Sequence, residues 1–173
     1  MKPLFIVDID GTVCDSVGFV GRLSIRFRTH VDYWDDRQVR IFMEEVSKRR
    51  VLPGAEVLRV LMIQGICDVI FLTGRSERIG KAQKLGRRLT TSWLHSKFGM
   101  PRDIPLIMRP PGDMRAPSVI KCDVFEHQVL PYHRDRSFVF LDDDTKALAL
   151  YSKHGLTLKS PECWAALSHF LPE

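Results

Sequence analysis

Several common features are missing from this chain of 173 residues, and each absence narrows what it can be. No apolar run approaches the ~20 residues that a membrane-spanning helix requires. The N-terminus lacks the basic-then-apolar pattern of a signal peptide. Cys14, Cys67, Cys122 and Cys163 stand far apart with no CxxC pair, so no zinc or dithiol motif is present. Reduced thiols in a cytoplasmic protein are expected. His95, His127 and His133 show no metal-ligand spacing. There is no internal repeat and no low-complexity segment.

What remains is an ordinary globular composition, 45% hydrophobic and 27% charged, on a chain long enough to bury a real core. A single domain over residues 1–173 is expected, with a small helical insertion at about 14–50. The net charge of +5 is uneven. Residues 1–100 hold 17 Lys and Arg against 11 Asp and Glu, whereas residues 101–173 hold 9 against 10. A polyanionic or phosphorylated ligand suits that excess.

The most informative stretch runs from Pro3 to Val13. An apolar run of strand type, Leu4 to Val7, ends in two carboxylates one residue apart, Asp8 and Asp10, followed by Gly11 and Thr12. Burying the run in a sheet delivers both acids to the strand's C-terminal end, where open α/β sheets bind ligands. Two close carboxylates repel, so such a pair calls for a divalent cation or a shared proton. An acidic turn after an edge strand is the plain alternative. A calcium loop counted from Asp8 would need Gly and Glu where Val13 and Phe19 stand, which sets it aside.

Further along, Arg37 to Arg50 has helical spacing, and Ala55 to Gln64 reads as a helix closed by Gly65. Val69 to Leu72 is a second buried strand ending at Thr73-Gly74-Arg75. Ser76 is a suitable N-cap for a long helix to about Lys97, with Ile79, Ala82, Leu85, Leu89 and Trp93 as its apolar stripe and Arg78, Lys81, Lys84 and Arg88 as a basic one. Pro105 to Met108 is a third strand, residues 118–130 a helix, and Ser137 to Leu141 a fourth strand ending in Asp142-Asp143-Asp144. A helix through Tyr151 and a strand at Leu156 to Leu158 complete the alternation. The pattern predicts an α/β, Rossmann-like three-layer sandwich with a parallel sheet and a small helical cap insertion. In such a sheet Asp8, Asp10, Thr73, Arg75, Asp142 and Asp143 share one edge.

The order of these residues resembles the haloacid dehalogenase-like phosphohydrolase superfamily. Its DxDGT[LV] motif corresponds to Asp8 through Val13, its strand-ending Thr or Ser to Thr73, its lysine to Lys121, and its acidic motif to Asp142-Asp143. A closer resemblance is to the 3′-phosphatase domain of bacteriophage-type polynucleotide kinase. It rests on Thr73-Gly74-Arg75, Gly112-Asp113-Met114-Arg115, Val119-Ile120-Lys121 and Leu141-Asp142-Asp143, and continues to about Cys163-Trp164. Where that family tends to carry acids shortly before the lysine, this chain has Pro117 and Ser118, and the arginine soon after the first motif has Arg22 as its approximate counterpart.

The resemblance implies a Mg²⁺-dependent phosphatase. Asp8 is the expected nucleophile and Asp10 the general acid and base, with Thr73 and Lys121 holding phosphoryl oxygens. Mg²⁺ is expected at Asp8, Asp10 (through its backbone carbonyl), Asp142 and Asp143. Arg75 belongs to the phosphate grip, with Gly74, Arg22, Arg109 and Arg115 as further substrate-binding candidates. The expected partner is a phosphorylated nucleic-acid end or a nucleotide, and a 3′-phosphate on DNA or RNA comes first. A nucleotidase acting on free nucleoside monophosphates is the enzyme rival, and sugar-phosphate hydrolysis comes third. A phosphate-binding interaction module is the non-enzyme rival, although binding alone needs no acid/base residue at position 10. Gly74 to Lys81 resembles a P-loop only loosely, because five residues separate its glycines and Ala82 follows the lysine, so no kinase activity is expected.

Overall fold

The computed structural model describes residues 1–16 and 19–169. Its centre is β1 (Leu4–Val7), a short run buried along its whole length, as a middle strand covered on both faces must be. Parallel neighbours flank it: β2 (Asp68–Ser76) on one side and β4 (Phe138–Asp142) on the other. With β3 (Leu106–Arg109) and β5 (Leu156–Lys159) the sheet has five strands in the order β3-β2-β1-β4-β5. Every connection carries helix, because parallel strands need a crossover. The fold is a Rossmann-like α/β sandwich.

Alternation along the strands sorts the core into two layers. Phe5, Val7, Val69 and Phe71 pack with α3 (Glu56–Ile63), α4 (Leu85–Ser96) and α7 (Cys163–Ser168). Leu4, Ile6, Ile70, Leu72 and Phe140 pack on the other side with α5 (Pro117–Val124) and α6 (Thr145–Tyr151). Each such side chain contributes roughly 1.5–3 kcal/mol of burial, so a register slip of one residue would exchange the two layers at great cost. Asp144 caps α6 by accepting from the Lys146 N–H, and Gly65, at φ +70°, closes α3.

Between β1 and α3 the chain forms α1 (Phe19–Phe27), a 3-10 turn (Val31–Tyr33) and α2 (Asp36–Ser47). Residues 17–18 of the expected insertion lie outside the described residues. Asp35 caps α2 in a reciprocal box with Gln38. Leu23, Val31, Trp34, Phe42 and Val46 make a third apolar cluster, which Ile79 and Leu85 of the main body complete. Among the described residues no helix is long and apolar enough to cross a membrane.

The long helix expected from Ser76 is corrected. Ser76 is the last residue of β2, residues 77–84 form turns, and α4 begins only at Leu85. Close backbone approaches account for the difference. The Gly80 N–H donates to the Val31 carbonyl at 3.0 Å, and a Cβ at Gly80 would sit 2.4 Å from the Trp34 carbonyl oxygen. The insertion therefore draws this segment out of helical geometry. With the helix goes much of its basic stripe: Arg78 turns back to Asp32 at 3.8 Å and Lys81 lies in the turns, which leaves Lys84 and Arg88 exposed at the start of α4.

Candidate active site

The register of the sheet builds the site. Val7 is level with Phe71 and with Leu141, so Asp8, Leu72 and Asp142 stand one step further along three neighbouring strands. The Asp8 N–H still donates to the Leu141 carbonyl at 2.9 Å, which fixes the acid against β4. Beyond it the chain reverses tightly: Gly11 sits at φ +80°, and the Ile9 carbonyl accepts from the N–H groups of Val13 and Cys14. A glycine is required at that φ. Two distant side chains brace the reversal. The Ser160 hydroxyl donates to the Gly11 carbonyl at 3.0 Å, and the Trp164 indole N–H to the Thr12 carbonyl at 3.0 Å.

Lys121 rises from α5 between the two central strands. Its Nζ lies 2.5 Å from Asp142 and 3.4 Å from Asp8, and all three residues are buried. The Asp144 N–H donates to the other Asp142 oxygen at 3.0 Å. Asp8, Asp142 and Asp143 each offer a carboxylate oxygen, and these atoms lie within 4.8 Å of one another. One ammonium faces three carboxylates. Burial pushes Asp8 well above the usual carboxylate range, and Asp142, Asp10 and Asp143 push it further against the pull of Lys121. Burial and then Asp142 push Asp143 up to about 6. Burial opposes the charge on Lys121, but Asp8 and Asp142 hold its ammonium above the usual lysine range. Such crowded oxygen donors with surplus negative charge fit a hard divalent cation.

Asp10 lives in a different field. Arg75 grips it with both arms of the guanidinium, Nε to Oδ2 and Nη2 to Oδ1, each at 2.7 Å. The Ser16 hydroxyl donates to the same carboxylate. Burial would raise Asp10, but the charge and hydrogen bonds of Arg75 bring it below the ordinary value. Two carboxylates two residues apart are thus pushed in opposite directions, so without a cation the proton is held at Asp8 and Asp10 is kept ionised by Arg75.

An open cavity of about 350 Å³ joins these groups. Asp8, Asp10, Thr73, Gly74, Arg75, Arg109, Lys121 and Asp143 all line it. Asp142 lies beneath, bonded to Lys121. Thr73 is buried within β2, near its C-terminal end, and accepts the Arg75 N–H at 3.3 Å. Gly74 makes room for Pro117, whose Cβ would stand 2.9 Å from a Cβ at position 74. Two candidates fall elsewhere. Arg22 is exposed on α1 and is not among the lining residues, and Arg115 is exposed beyond the cavity, paired with Asp113 at 2.7 Å and Asp123 at 3.2 Å. Ser16, Ser24, His30 and Asp144 also line the cavity, and no sequence signal singles out the first three. Asp144 caps α6 as well as lining the cavity.

A parallel five-stranded sheet with paired aspartates after its middle strand, a buried lysine and a second acidic strand end defines the haloacid dehalogenase-like phosphatases. Residues 2–160 match the family described as the polynucleotide kinase PNKP phosphatase domain, and the chain belongs to that family. No curated protein sequence matches it significantly. Among solved structures, one titled as the Pnkp1/Rnl/Hen1 complex superposes with a TM-score of 0.60 at 19% identity, covering 91% of this chain but 45% of that one. CbbY from Rhodobacter sphaeroides, in complex with phosphate, gives 0.52 at 19% identity over 93% and 87% of the two chains. The haloacid dehalogenase-like protein SP0104 from Streptococcus pneumoniae gives 0.52 at 13% identity over 91% and 84%. At these identities the structures share the fold.

Proposed function

We propose that this chain is a Mg²⁺-dependent phosphomonoesterase that removes 3′-phosphates from nucleic-acid ends through an aspartyl-phosphate on Asp8. One observation carries the reading: Asp8, Asp143 and Lys121 meet Asp10 and Arg75 in one cavity. Asp8, Asp142, Asp143 and the Asp10 carbonyl would hold Mg²⁺, which when bound offsets the charge of the carboxylates and of a phosphate beside them.

The chain's own groups perform the transfer. An Asp8 oxygen attacks phosphorus in line, and the P–O bond to the 3′-oxygen breaks. Once Arg75 turns from Asp10 to the phosphate, Asp10 can carry the proton it gives to the leaving oxygen, and it then takes one from the water that hydrolyses the acyl-phosphate, returning Asp8 and inorganic phosphate. Thr73 and Lys121 hold the phosphoryl oxygens throughout. Arg75 lines the cavity while bonded to Asp10, so a phosphate bound there and Asp10 share one guanidinium. The four buried free thiols suit a reducing, cytoplasmic setting.

A nucleotidase is the second reading, favoured by the cavity's size. About 350 Å³ is near the small end of the ~300–1,000 Å³ typical of ligand sites and suits a single nucleotide. A screen of 3′-phosphorylated oligonucleotides, mononucleotides and sugar phosphates, with Mg²⁺ and with EDTA, separates the two. Asp8→Asn should abolish release from every substrate, because an amide cannot form the acyl-phosphate. Activity retained by a folded Asp8→Asn, after deamidation is excluded, would remove Asp8 from the role.

A further inference from the structure

One lining residue, offered by the resemblance only as a substrate-binding candidate, has no step in the proposed transfer. Arg109 ends β3 and is 8% exposed, yet it lines the cavity, and its Nε is buried without a hydrogen-bond partner. Burial depresses its guanidinium despite the nearby Asp32 and Asp113. Both acids are engaged elsewhere. Asp113 pairs with Arg115 at 2.7 Å, while Asp32 accepts the Gly112 N–H at 2.6 Å and faces Arg78 at 3.8 Å. A largely buried guanidinium that lines a cavity, with no carboxylate among the described residues at ion-pair distance, suits a bound anion.

Opposite Arg109, the insertion supplies two more groups, His30 and Ser24. The His30 Nδ1 accepts the Asp32 N–H at 3.3 Å, which places the ring proton of the neutral form on Nε2 as a donor. Burial and the charge of Arg109 hold His30 below its ordinary value, so that neutral form prevails at pH 7. The Asp32–Gly112 bond ties the insertion to the turn after β3 and so fixes the two walls against each other.

We infer that Arg109, His30 and Ser24 form a second phosphate subsite, which takes the phosphate on the 5′ side of the nucleotide whose 3′-phosphate is removed. The inference rests on the 3′-phosphatase reading and adds to it a requirement on the substrate. Either a phosphomonoester, as in a nucleoside 3′,5′-bisphosphate, or the phosphodiester of a strand supplies this group.

The test compares kcat/KM, with Mg²⁺, for thymidine 3′-monophosphate, thymidine 3′,5′-bisphosphate and a 3′-phosphorylated oligonucleotide, following loss of the 3′-phosphate. The second phosphate should raise efficiency by about tenfold to a hundredfold, as expected of a charged hydrogen-bonded contact. Arg109→Gln should bring the ratio of bisphosphate to monophosphate towards one, and Arg109→Lys should restore it in part. His30→Asn keeps an acceptor for the Asp32 N–H while removing the outward donor, so it decides the matter if Arg109→Gln does not fold. Equal efficiency on bisphosphate and oligonucleotide assigns the contact to any 5′-phosphate, and a further gain with the oligonucleotide assigns it to a strand. A wild-type ratio near one for both, or a preference that the Arg109 and His30 variants leave intact, overturns the subsite. If none of the three is hydrolysed while p-nitrophenyl phosphate is, the nucleotide reading itself fails and the subsite fails with it.

Discussion

Replacing Lys121 by Met isolates the electrostatics of the site from its chemistry. The side chains are similar in length, so the packing change is small, below about 1.5 kcal/mol for a volume-conserving swap. What is lost is the ammonium 2.5 Å from Asp142 and 3.4 Å from Asp8, in a place where all three residues are buried. Removing one partner of a buried ion pair costs about 3–5 kcal/mol, because the charge left behind has neither water nor counter-ion. For a domain of this size each kcal/mol moves Tm by about 2–4 °C. In EDTA at pH 7 the variant should therefore melt roughly 6–20 °C below wild type. The sign of its pH dependence follows from the same contacts. Without Lys121 the crowded carboxylates of the folded variant bind protons that the unfolded chain does not. Stability relative to wild type should then improve as pH falls from 7 to 5. Mg²⁺ should also narrow the deficit at pH 7 by supplying the missing positive charge. Calorimetry at two pH values, with and without Mg²⁺, checks all three statements. A deficit below about 2 °C, or one that widens on acidification, would refute the reasoning.

Asp10→Asn should lower kcat by the ~10²–10⁴-fold typical of a lost general acid or base while leaving the half-saturating Mg²⁺ concentration unchanged, which steady-state kinetics across a metal titration reads directly. Asp142→Asn should do the reverse, raising the Mg²⁺ requirement. The same metal dependence as wild type would take Asp142 out of the cation site. Trp164→Phe removes the 3.0 Å bond to the Thr12 carbonyl and leaves it the longer 3.3 Å contact from the Ser160 hydroxyl, so urea unfolding should show a loss of about 0.5–1.5 kcal/mol together with slower turnover. An unchanged midpoint and slope in urea would show that the catalytic reversal stands without that brace.

The strand ends were legible because burial forces a short apolar run to stop at its first charged residue. Leu4 to Val7 and Phe138 to Leu141 each end in acid, and the register of a parallel sheet then brings Asp8 and Asp142 side by side with no further information. Segment 76–97 was misread for an equally physical reason. Ile79, Ala82 and Leu85 are covered at a spacing that a helix would also give, but Ile79 and Ala82 lie in turns and only Leu85 opens α4, all packed with Trp34 and Val31 of the insertion. Periodicity records which residues are covered and says nothing of what covers them. The same limit hid His30 and Ser24, since only the docking of the insertion through Asp32 and Gly112 brings them to the cavity wall. Arg75 was placed at the phosphate grip, whereas its bidentate hold on Asp10 depends on two strand ends meeting at close range.

The bracing of the Gly11–Thr12 reversal by Ser160 and Trp164 bears on how the protein is made. Asp8 is made long before its partners, because β1 cannot pair on its second side until β4 arrives, some 130 residues later. The braces come later still, beyond β5. A growing or truncated chain that stops before residue 155 would carry the full DxDGT motif, yet it would lack the support that holds those carboxylates to their geometry. Hydrolytic competence is thereby coupled to synthesis of the residues beyond β5, and fragments released before them should be inert as well as unstable.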